Sequence, residues 1–297
     1  MDGILIIDKP EGPTSHDVVN RVRRILKTKK VGHTGTLDPF ATGVLVMLVG
    51  KATRLAQFLD KDEKEYQAVV RFGFETDTGD KTGSPKSGAQ SSESVTIQEI
   101  ENVLPKFRGE IQQIPPMYSA KKVDGKKLYE HARKGIDVER EPVQITVREL
   151  ELVEPEEIRN PRSAIRIRVL CSAGTYIRKL AEDIGRAAGT GAHLAELRRT
   201  RAGRFRIEDA VTFEDLEQTA DPGGLLRPLN EAIVHLPEFV LEHDRVERTV
   251  NGLSTRVERE DLKDGTVLRM LNRGGDVIAV GTYSAREHII RPKIVLM

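Results

Sequence analysis

The chain has 297 residues, of which 38% are hydrophobic and 31% are charged, and its formal net charge is +1. This length exceeds one average small domain, and this composition allows a substantial core beneath a well-solvated surface. No apolar run reaches the ~18 residues that a membrane-spanning helix needs, which excludes such a helix. The single cysteine, Cys171, excludes an internal disulfide, and the N-terminus is unlike a secretion signal. We therefore expect a cytoplasmic protein.

The chain contains three basic clusters although its net charge is close to zero. Six of the ten residues 21–30 are basic, five arginines lie within residues 198–206, and residues 121–134 include six basic residues against two acidic ones. Clusters of this kind can produce a directional field that attracts a polyanion. Each could equally be a solvated helix face.

The N-terminal quarter alternates between apolar runs and turn signals. Thr14, with Asp17 three positions later, matches the capping box that begins a helix. Residues 31–43 are rich in Gly, Thr and Pro, which predicts an irregular loop. Apolar runs and two-residue alternation predict strands at residues 3–7, 44–49 and 66–72, and a short helix at 53–59.

The middle of the chain mixes helices and strands without a regular βαβ rhythm, which favours the α+β class. Residues 76–93 are mostly Gly, Ser, Asp and Lys and predict a flexible excursion. Further helices are predicted at residues 96–104, 128–134 and 175–188, and further strands at 143–153 and 164–171.

The C-terminal tail has a different pattern. Short strand-like runs at residues 267–271, 277–281 and 289–296 are separated by turns that contain glycine. This pattern is typical of a small β-barrel-like module of about 60 residues. We place the domain boundary near Leu236, which gives domains of residues 1–236 and 237–297.

The densest motif is the run Gly-His-Thr-Gly-Thr-Leu-Asp-Pro-Phe-Ala-Thr-Gly at residues 32–43. Its glycines allow the backbone to approach a ligand closely, and Pro39 stiffens the backbone just after Asp38. A carboxylate in such a loop, ahead of a buried strand, is suitably placed for chemistry at a cleft edge. An aspartate that merely caps a turn would produce the same local pattern.

The sequence lacks the residue spacing of a phosphate-binding loop, of common metal sites and of a serine nucleophile loop. A P-loop would need Ser or Thr after Gly50-Lys51, where Ala52 stands. The sequence contains no H-E-x-x-H, C-x-x-C or G-x-S-x-G pattern. We therefore expect no metal and no cofactor, and chemistry that rests on Asp, Tyr, Arg and His side chains.

The run at residues 32–43 resembles the signature of the bacterial TruB-type tRNA pseudouridine synthases. Further segments resemble the family in chain order: Lys9-Pro10 with Gly12 and Thr14-Ser15, Lys64-Glu65-Tyr66, Pro115-Pro116-Met117-Tyr118-Ser119-Ala120, Gly174-Thr175-Tyr176-Ile177-Arg178 and Leu197-Arg198-Arg199. The resemblance covers about residues 1–235, and the tail resembles a PUA-type RNA-binding domain more loosely.

The resemblance implies a pseudouridine synthase fold, with a long mixed, mainly antiparallel sheet flanked by helices and an RNA-binding insertion at about residues 105–140. It also implies isomerisation of uridine 55 in the T-arm loop of tRNA, with the target base flipped out and no cofactor. The implied partner is tRNA, and we expect a monomer that needs neither a protein partner nor a membrane.

The resemblance also assigns candidate site residues. Asp38 would be the catalytic aspartate, Arg178 would pair with it, and Tyr66 would stack on the target base and take part in proton transfer. The remaining candidates for substrate binding are His33, Tyr176, Leu197 and Lys9. His33 would enter the space that the flipped nucleotide vacates, whereas Tyr176 and Leu197 would line the uracil pocket.

Two alternative functions stay open at this point. One is the related catalytic subunit of guide-RNA ribonucleoproteins, which shares the aspartate loop but depends on partners. The other is an RNA-binding or RNA-folding module whose chemistry is incidental. The segment Pro115-Pro116-Met117-Tyr118-Ser119-Ala120 and the absence of long basic tails favour the stand-alone enzyme.

Overall fold

The computed structural model describes residues 1–59, 61–86, 95–119, 121–123, 125–132, 134–153, 164–257 and 261–297. The strands are β1 (Gly3–Lys9), β2 (Val31–Thr34), β3 (Thr42–Val49), β4 (Lys64–Phe72), β5 (Gly109–Gln113), β6 (Lys122–Val123), β7 (Lys126–Lys127), β8 (Val143–Val153), β9 (Ala164–Cys171), β10 (Ala192–Ala202), β11 (Phe205–Arg206), β12 (Glu238–Val240), β13 (Thr255–Arg256), β14 (Val267–Leu271), β15 (Val277–Ser284) and β16 (Ile289–Val295). The α-helices are α1 (Ser15–Ile25), α2 (Ile97–Val103), α3 (Leu128–Ala132), α4 (Ile177–Ala187), α5 (Phe213–Gln218) and α6 (His243–Val250). Short 3₁₀ helices span Gly50–Phe58, Leu104–Phe107, Ile207–Asp209, Pro222–Leu225 and Leu229–Ala232.

The larger sheet has nine strands in the described part of the chain, seven of them in the order β1-β3-β10-β4-β9-β8-β5. Neighbours in this order are antiparallel except β3 and β10, which run parallel with Arg199 opposite Gly43. Gly43 has φ +101°, and a Cβ there would lie 2.2 Å from the Arg199 carbonyl oxygen, so only glycine allows this contact. The sheet is mixed and mainly antiparallel, which confirms the predicted α+β class.

Helix α1 begins as its capping box predicts. The Thr14 hydroxyl accepts a hydrogen bond from the Asp17 backbone N–H, and the Asp17 carboxylate accepts from the Thr14 N–H. Val18, Val19 and Val22 on one face of α1 are at most 3% exposed, so the helix packs that face into the core. Helix α4 packs similarly, and its Leu180 and Ile184 join the apolar cluster beneath β4, β9 and β10.

Several predicted elements differ from the structure. The start of the predicted loop at 31–43 pairs with β3 as strand β2, because Val31–Thr34 lies in register with Thr34 opposite Val46. The short helix predicted at 53–59 is a 3₁₀ helix that starts at Gly50. Part of the excursion predicted at 76–93 lies outside the described residues, but residues 76–86 are described and fold as turns.

Strand β10 is the longest element of the structure that no sequence pattern predicted. Its basic residues read as a surface cluster, yet Arg199 is only 1% exposed, and Arg198 forms a two-contact ion pair with Asp8 at 2.7 and 3.0 Å. Arg198 and Arg199, which belong to the predicted polyanion-binding cluster, therefore make contacts within the protein.

The C-terminal sheet has the strand order β12-β14-β15-β16-β13, which confirms the predicted small β module. It does not stand apart from the larger sheet, because Leu271, Val280 and Ile294 share one apolar cluster with Ile4 and Val46. Arg54 also donates a hydrogen bond to the Val295 carbonyl. Within the described residues, no helix has both the length and the apolar character needed to cross a membrane.

Candidate active site

A cavity of about 330 Å³ opens at the centre of the larger sheet. Its walls are the aspartate loop at residues 35–38, strands β4 and β10, and the turn and helix start at residues 172–178. The parallel pairing of β3 with β10 brings the aspartate loop, which precedes β3, beside residues of β10. Ser119 completes the lining, so five separate chain segments meet around one space.

Asp38 and Arg178 form a forked ion pair at the edge of this cavity. Arg178 Nε lies 2.8 Å from Asp38 Oδ2, and Arg178 Nη2 donates to Oδ1 at 3.1 Å. The guanidinium also donates to the Thr78 carbonyl at 2.9 Å and the Tyr118 carbonyl at 2.7 Å. The Arg178 side chain is 6% exposed and that of Asp38 32%, so the arginine is fixed while the carboxylate keeps an accessible edge.

Asp80 is a site residue that the sequence reasoning missed. Its Oδ2 lies 3.8 Å from Arg178 Nη1, and its Oδ1 accepts from the Thr78 hydroxyl at 2.9 Å and the Thr82 N–H at 2.9 Å. A buried carboxylate thus supports the guanidinium from the side away from Asp38. The alternation of Thr78, Asp80 and Thr82, whose short side chains bond to nearby backbone, could have indicated a compact turn rather than a flexible excursion.

The electrostatic environment of Asp38 combines opposing effects. Burial raises the pKa of the Asp38 carboxyl above its ordinary value, and the negative charge of Asp80 raises this pKa further. The positive charges of Arg178 and Lys9 lower it. The carboxylate is thus a poorly solvated base whose charge is maintained by a fixed cation.

The structure brings five of the predicted site residues together. Tyr66 on β4, Tyr176 at the start of α4 and Leu197 on β10 line the same cavity as Asp38 and Arg178. Tyr66 is 8% exposed, and burial raises the pKa of its phenol.

Lys9 is buried against the aspartate loop, and its ammonium bonds to backbone carbonyls. Its side chain is 0% exposed, and Nζ donates to the carbonyls of Pro10 at 2.9 Å, Pro39 at 3.2 Å and Ala41 at 2.7 Å. Burial lowers the pKa of Lys9 to about 8. The Lys9 ammonium thus bonds to backbone carbonyls that include two just after Asp38, and contact between Lys9 and the substrate stays a prediction.

The N-terminal motif holds the aspartate loop at further points. Ser15 Oγ donates to the Leu37 carbonyl at 3.0 Å and accepts from the Leu37 N–H at 2.9 Å. The Gly12 N–H donates to the Pro39 carbonyl at 2.8 Å. Together with Lys9, these contacts give the opening motif a positioning role that its sequence does not reveal.

His33 lies on β2 opposite Met47, partly buried and outside the lining of the cavity. The structure therefore leaves its predicted entry into the target nucleotide's place as a prediction about the RNA-bound protein. No group of three His, Cys, Asp or Glu residues in the described ranges could hold a metal ion.

Comparisons with known proteins show the family of the chain. Residues 23–177 match the TruB family pseudouridylate synthase N-terminal domain, and residues 178–234 match the tRNA pseudouridylate synthase B C-terminal domain. A tRNA pseudouridine synthase B from Solibacter usitatus is 45% identical over all of both chains, and one from Geobacillus kaustophilus is 48% identical over 86% of this chain and 92% of that protein.

Two solved structures have a similar fold. A chain of an H/ACA RNP bound to a substrate RNA containing 2′-deoxyuridine superposes with a TM-score of 0.74 and 28% identity, covering 99% of this chain and 85% of that chain. A chain from a Cbf5-Nop10-Gar1 complex gives the same TM-score at 29% identity and the same coverage. The matched regions include the aspartate loop, the Tyr66 strand and the Arg178 helix, and the chain belongs to the TruB family of pseudouridylate synthases.

Proposed function

We propose that this protein isomerises uridine 55 in the T-arm loop of tRNA to pseudouridine, with Asp38 as its catalytic carboxylate and no cofactor. The observation that carries the proposal is the forked Asp38–Arg178 pair, whose carboxylate faces a cavity lined by Tyr66, Tyr176 and Leu197. Family membership supports the reaction and the substrate class.

The reaction breaks one glycosidic bond and forms another. Cleavage of the C1′–N1 bond develops positive charge at the ribose, which a nearby carboxylate stabilises. The uracil then turns within the cavity and bonds to C1′ through C5, and C5 loses its proton to a base. Asp38 could serve as nucleophile at the ribose or as base and electrostatic stabiliser, and Arg178 orients the carboxylate for both roles.

The substrate must present its base outside the loop stack. The reactive atoms of a stacked uridine cannot reach a carboxylate at the side of a cavity, so the nucleotide has to flip, at a cost of a few kcal/mol. The cavity of about 330 Å³ offers room for an extruded base and its ribose. Tyr66 would stack on that base, as the family resemblance implies.

We further assign residues 1–236 as the catalytic domain, residues 105–140 as its RNA-facing insertion and residues 237–297 as a PUA-like RNA-binding domain. The insertion contacts the cavity, since Ser119 lines it and the Tyr118 carbonyl accepts from Arg178. The second candidate function is a catalytic subunit that needs protein and guide-RNA partners, and the solved Cbf5-Nop10-Gar1 complex is the observation that favours it.

A tritium-release assay separates the two candidates. The purified chain alone, with no added metal, is incubated with an isolated T-arm hairpin whose target uridine carries tritium at C5. Release of tritium to water is expected, at a rate that EDTA leaves unchanged, whereas Asp38→Asn should bind the hairpin and release none. If release requires a guide RNA or a second protein, the partner-dependent function replaces the proposed one.

A further inference from the structure

We infer that Glu75 and Arg186 are positioning residues that clamp the loop at residues 75–86 onto helix α4 and thereby fix the guanidinium of Arg178. The inference rests on the proposed function, because Arg178 acts there through the carboxylate that it orients. Neither Glu75 nor Arg186 lines the cavity. The two residues lie 111 positions apart in the chain, so only the fold brings them together.

One face of helix α4 carries the residues that meet this loop. Arg178, Glu182 and Arg186 follow one another at four-residue intervals, which places them in a row along the helix. Arg178 lies in the first turn and pairs with Asp38, whereas Arg186 lies in the last turn. A loop that runs along this row can therefore contact both ends of the helix.

The first part of the loop contacts the Arg178 end of the row. The Thr78 carbonyl accepts from Arg178 Nη1 at 2.9 Å, and Asp80 Oδ2 lies 3.8 Å from the same nitrogen. Between them, Gly79 lies so close to the helix that a Cβ there would be 3.4 Å from Arg178 Cβ and 3.1 Å from Glu182 Oε1. The position of the guanidinium thus depends on how closely the loop follows the helix.

Glu75 attaches the loop at the Arg186 end of the row. Its carboxylate accepts from Arg186 Nε and, at 2.7 Å, from Arg186 Nη2, and it also accepts from Lys86 Nζ at 3.0 Å. The Glu75 carbonyl accepts from the Lys86 N–H at 2.9 Å. Glu75 therefore joins the two ends of the loop to each other and both of them to the helix.

The Glu75–Arg186 contact differs from an ordinary exposed ion pair, which contributes little because solvent screens it. A forked arginine–carboxylate pair adds two directed hydrogen bonds to the attraction between the charges. The Glu75 side chain is only 16% exposed, and the hydrogen bonds from Arg186 lower the pKa of its carboxyl to about 2. The contact is therefore fully ionised near neutral pH.

The clamp acts on the reaction through Arg178. A looser loop lets the Thr78 carbonyl and Asp80 move away from the guanidinium, and the forked contact with Asp38 becomes less fixed. A misplaced catalytic group slows the chemical step even when the substrate is bound. Because no group that lines the cavity is lost, the rate should fall while RNA affinity is preserved.

A double-mutant cycle on the hairpin substrate tests the clamp. Single-turnover rates and hairpin dissociation constants are measured for wild type, Glu75→Ala, Arg186→Ala and the double variant. Glu75→Ala should slow the single turnover at least fivefold, and the dissociation constant should change less than threefold. The double variant should react at the rate of Glu75→Ala, because both substitutions open the same contact. Effects that multiply would overturn the inference.

Glu231→Ala is the matched control. Glu231 pairs with Arg227 Nε at 2.7 Å, has a side chain that is 26% exposed and lies outside the lining of the cavity. This substitution removes a similar, partly buried arginine–carboxylate contact, and the variant should react at the wild-type rate. If Glu75→Ala also reacts at that rate, the inference is overturned.

A spectroscopic measurement follows Arg178 in the absence of RNA. Arg178 Nε lies 2.8 Å from Asp38 Oδ2, so its N–H should exchange slowly with solvent in the wild-type protein, as followed by nuclear magnetic resonance. Arg186→Ala truncates a side chain that is 52% exposed, so it covers the case in which Glu75→Ala does not fold. It should speed this exchange at least tenfold, whereas Glu231→Ala should leave it unchanged.

Equal exchange of the Arg178 N–H in wild type and Arg186→Ala would overturn the inference. This outcome is distinct from failure of the proposed function. If the wild-type chain releases no tritium from the hairpin, the proposed function fails, and the exchange rates still decide whether the clamp fixes Arg178.

Discussion

Gln113 and Tyr176 are joined by two hydrogen bonds between a side-chain amide and a main-chain peptide. Gln113 Nε2 donates to the Tyr176 carbonyl at 3.1 Å, and the Tyr176 N–H donates to Gln113 Oε1 at 2.8 Å. Gln113 ends β5, within the proposed RNA-facing insertion at residues 105–140, and Tyr176 precedes helix α4, which carries Arg178. The amide therefore ties the base of the insertion to the wall of the cavity.

Replacing Gln113 should impair the reaction more than RNA binding. Gln113→Ala removes both bonds and leaves the Tyr176 peptide poorly paired, at a cost of about 1–3 kcal/mol for each group. We expect at least a tenfold slower single turnover on the hairpin. Gln112→Ala is the control, because Gln112 is the exposed neighbour on the same strand. Equal rates for the two variants would contradict a role for Gln113 at the site.

Arg178→Lys should lose most activity, by about 100-fold or more. A lysine ammonium is a point charge that cannot contact both Asp38 oxygens and also reach the carbonyls of Thr78 and Tyr118. Steady-state tritium release compared with Lys179→Arg, the next residue of α4, provides the measurement and the control. Turnover close to wild type would show that Arg178 does not orient the carboxylate.

The rate should fall on the acid side at a higher pH than an ordinary aspartate would dictate. The reaction needs ionised Asp38, and protonation removes it as the pH falls through a pKa that burial and Asp80 raise. Asp80→Asn removes one raising charge, so the acid limb of the single-turnover profile should move to lower pH. If the acid limb of Asp80→Asn lies at the same pH as that of wild type, protonation of Asp38 does not determine the acid limb.

Binding of tRNA should weaken steeply with salt, because released counterions accompany each phosphate contact. Within residues 21–30, Lys29 is exposed, whereas Arg21 forms an ion pair with Glu217 at 2.8 Å. Lys29→Gln should reduce the log–log salt slope by about one. Arg21→Gln should reduce it less, since its charge is already compensated. Equal slopes for wild type and Lys29→Gln would place this cluster away from the RNA.

Ending the chain at Leu236 should lower the free energy of unfolding as well as tRNA affinity. Leu271, Val280 and Ile294 share an apolar cluster with Ile4 and Val46, and burial of such side chains contributes about 1.5–3 kcal/mol each. Urea unfolding followed by circular dichroism measures the change. A truncated chain as stable as the whole would mean that the shared cluster contributes little.

The sequence by itself determined the elements whose causes are local. Helix α1 follows from the capping box of Thr14 and Asp17, and the strands predicted at 143–153 and 164–171 match β8 and β9, because alternating side chains define a strand without help from distant residues. The motif around Asp38 and its resemblance to a family also predict that this loop carries the catalytic carboxylate.

Only the tertiary structure decided which charged residues are buried and what they hold. Nothing in the sequence predicts the burial of Lys9, Asp80 or Arg199, and each becomes buried because distant segments close around it. The parallel pairing of β3 with β10 places Arg199 beside the aspartate loop, and no local pattern encodes that pairing. A buried charge is tolerated only where backbone carbonyls or opposite charges surround it, and the folded chain alone creates those surroundings.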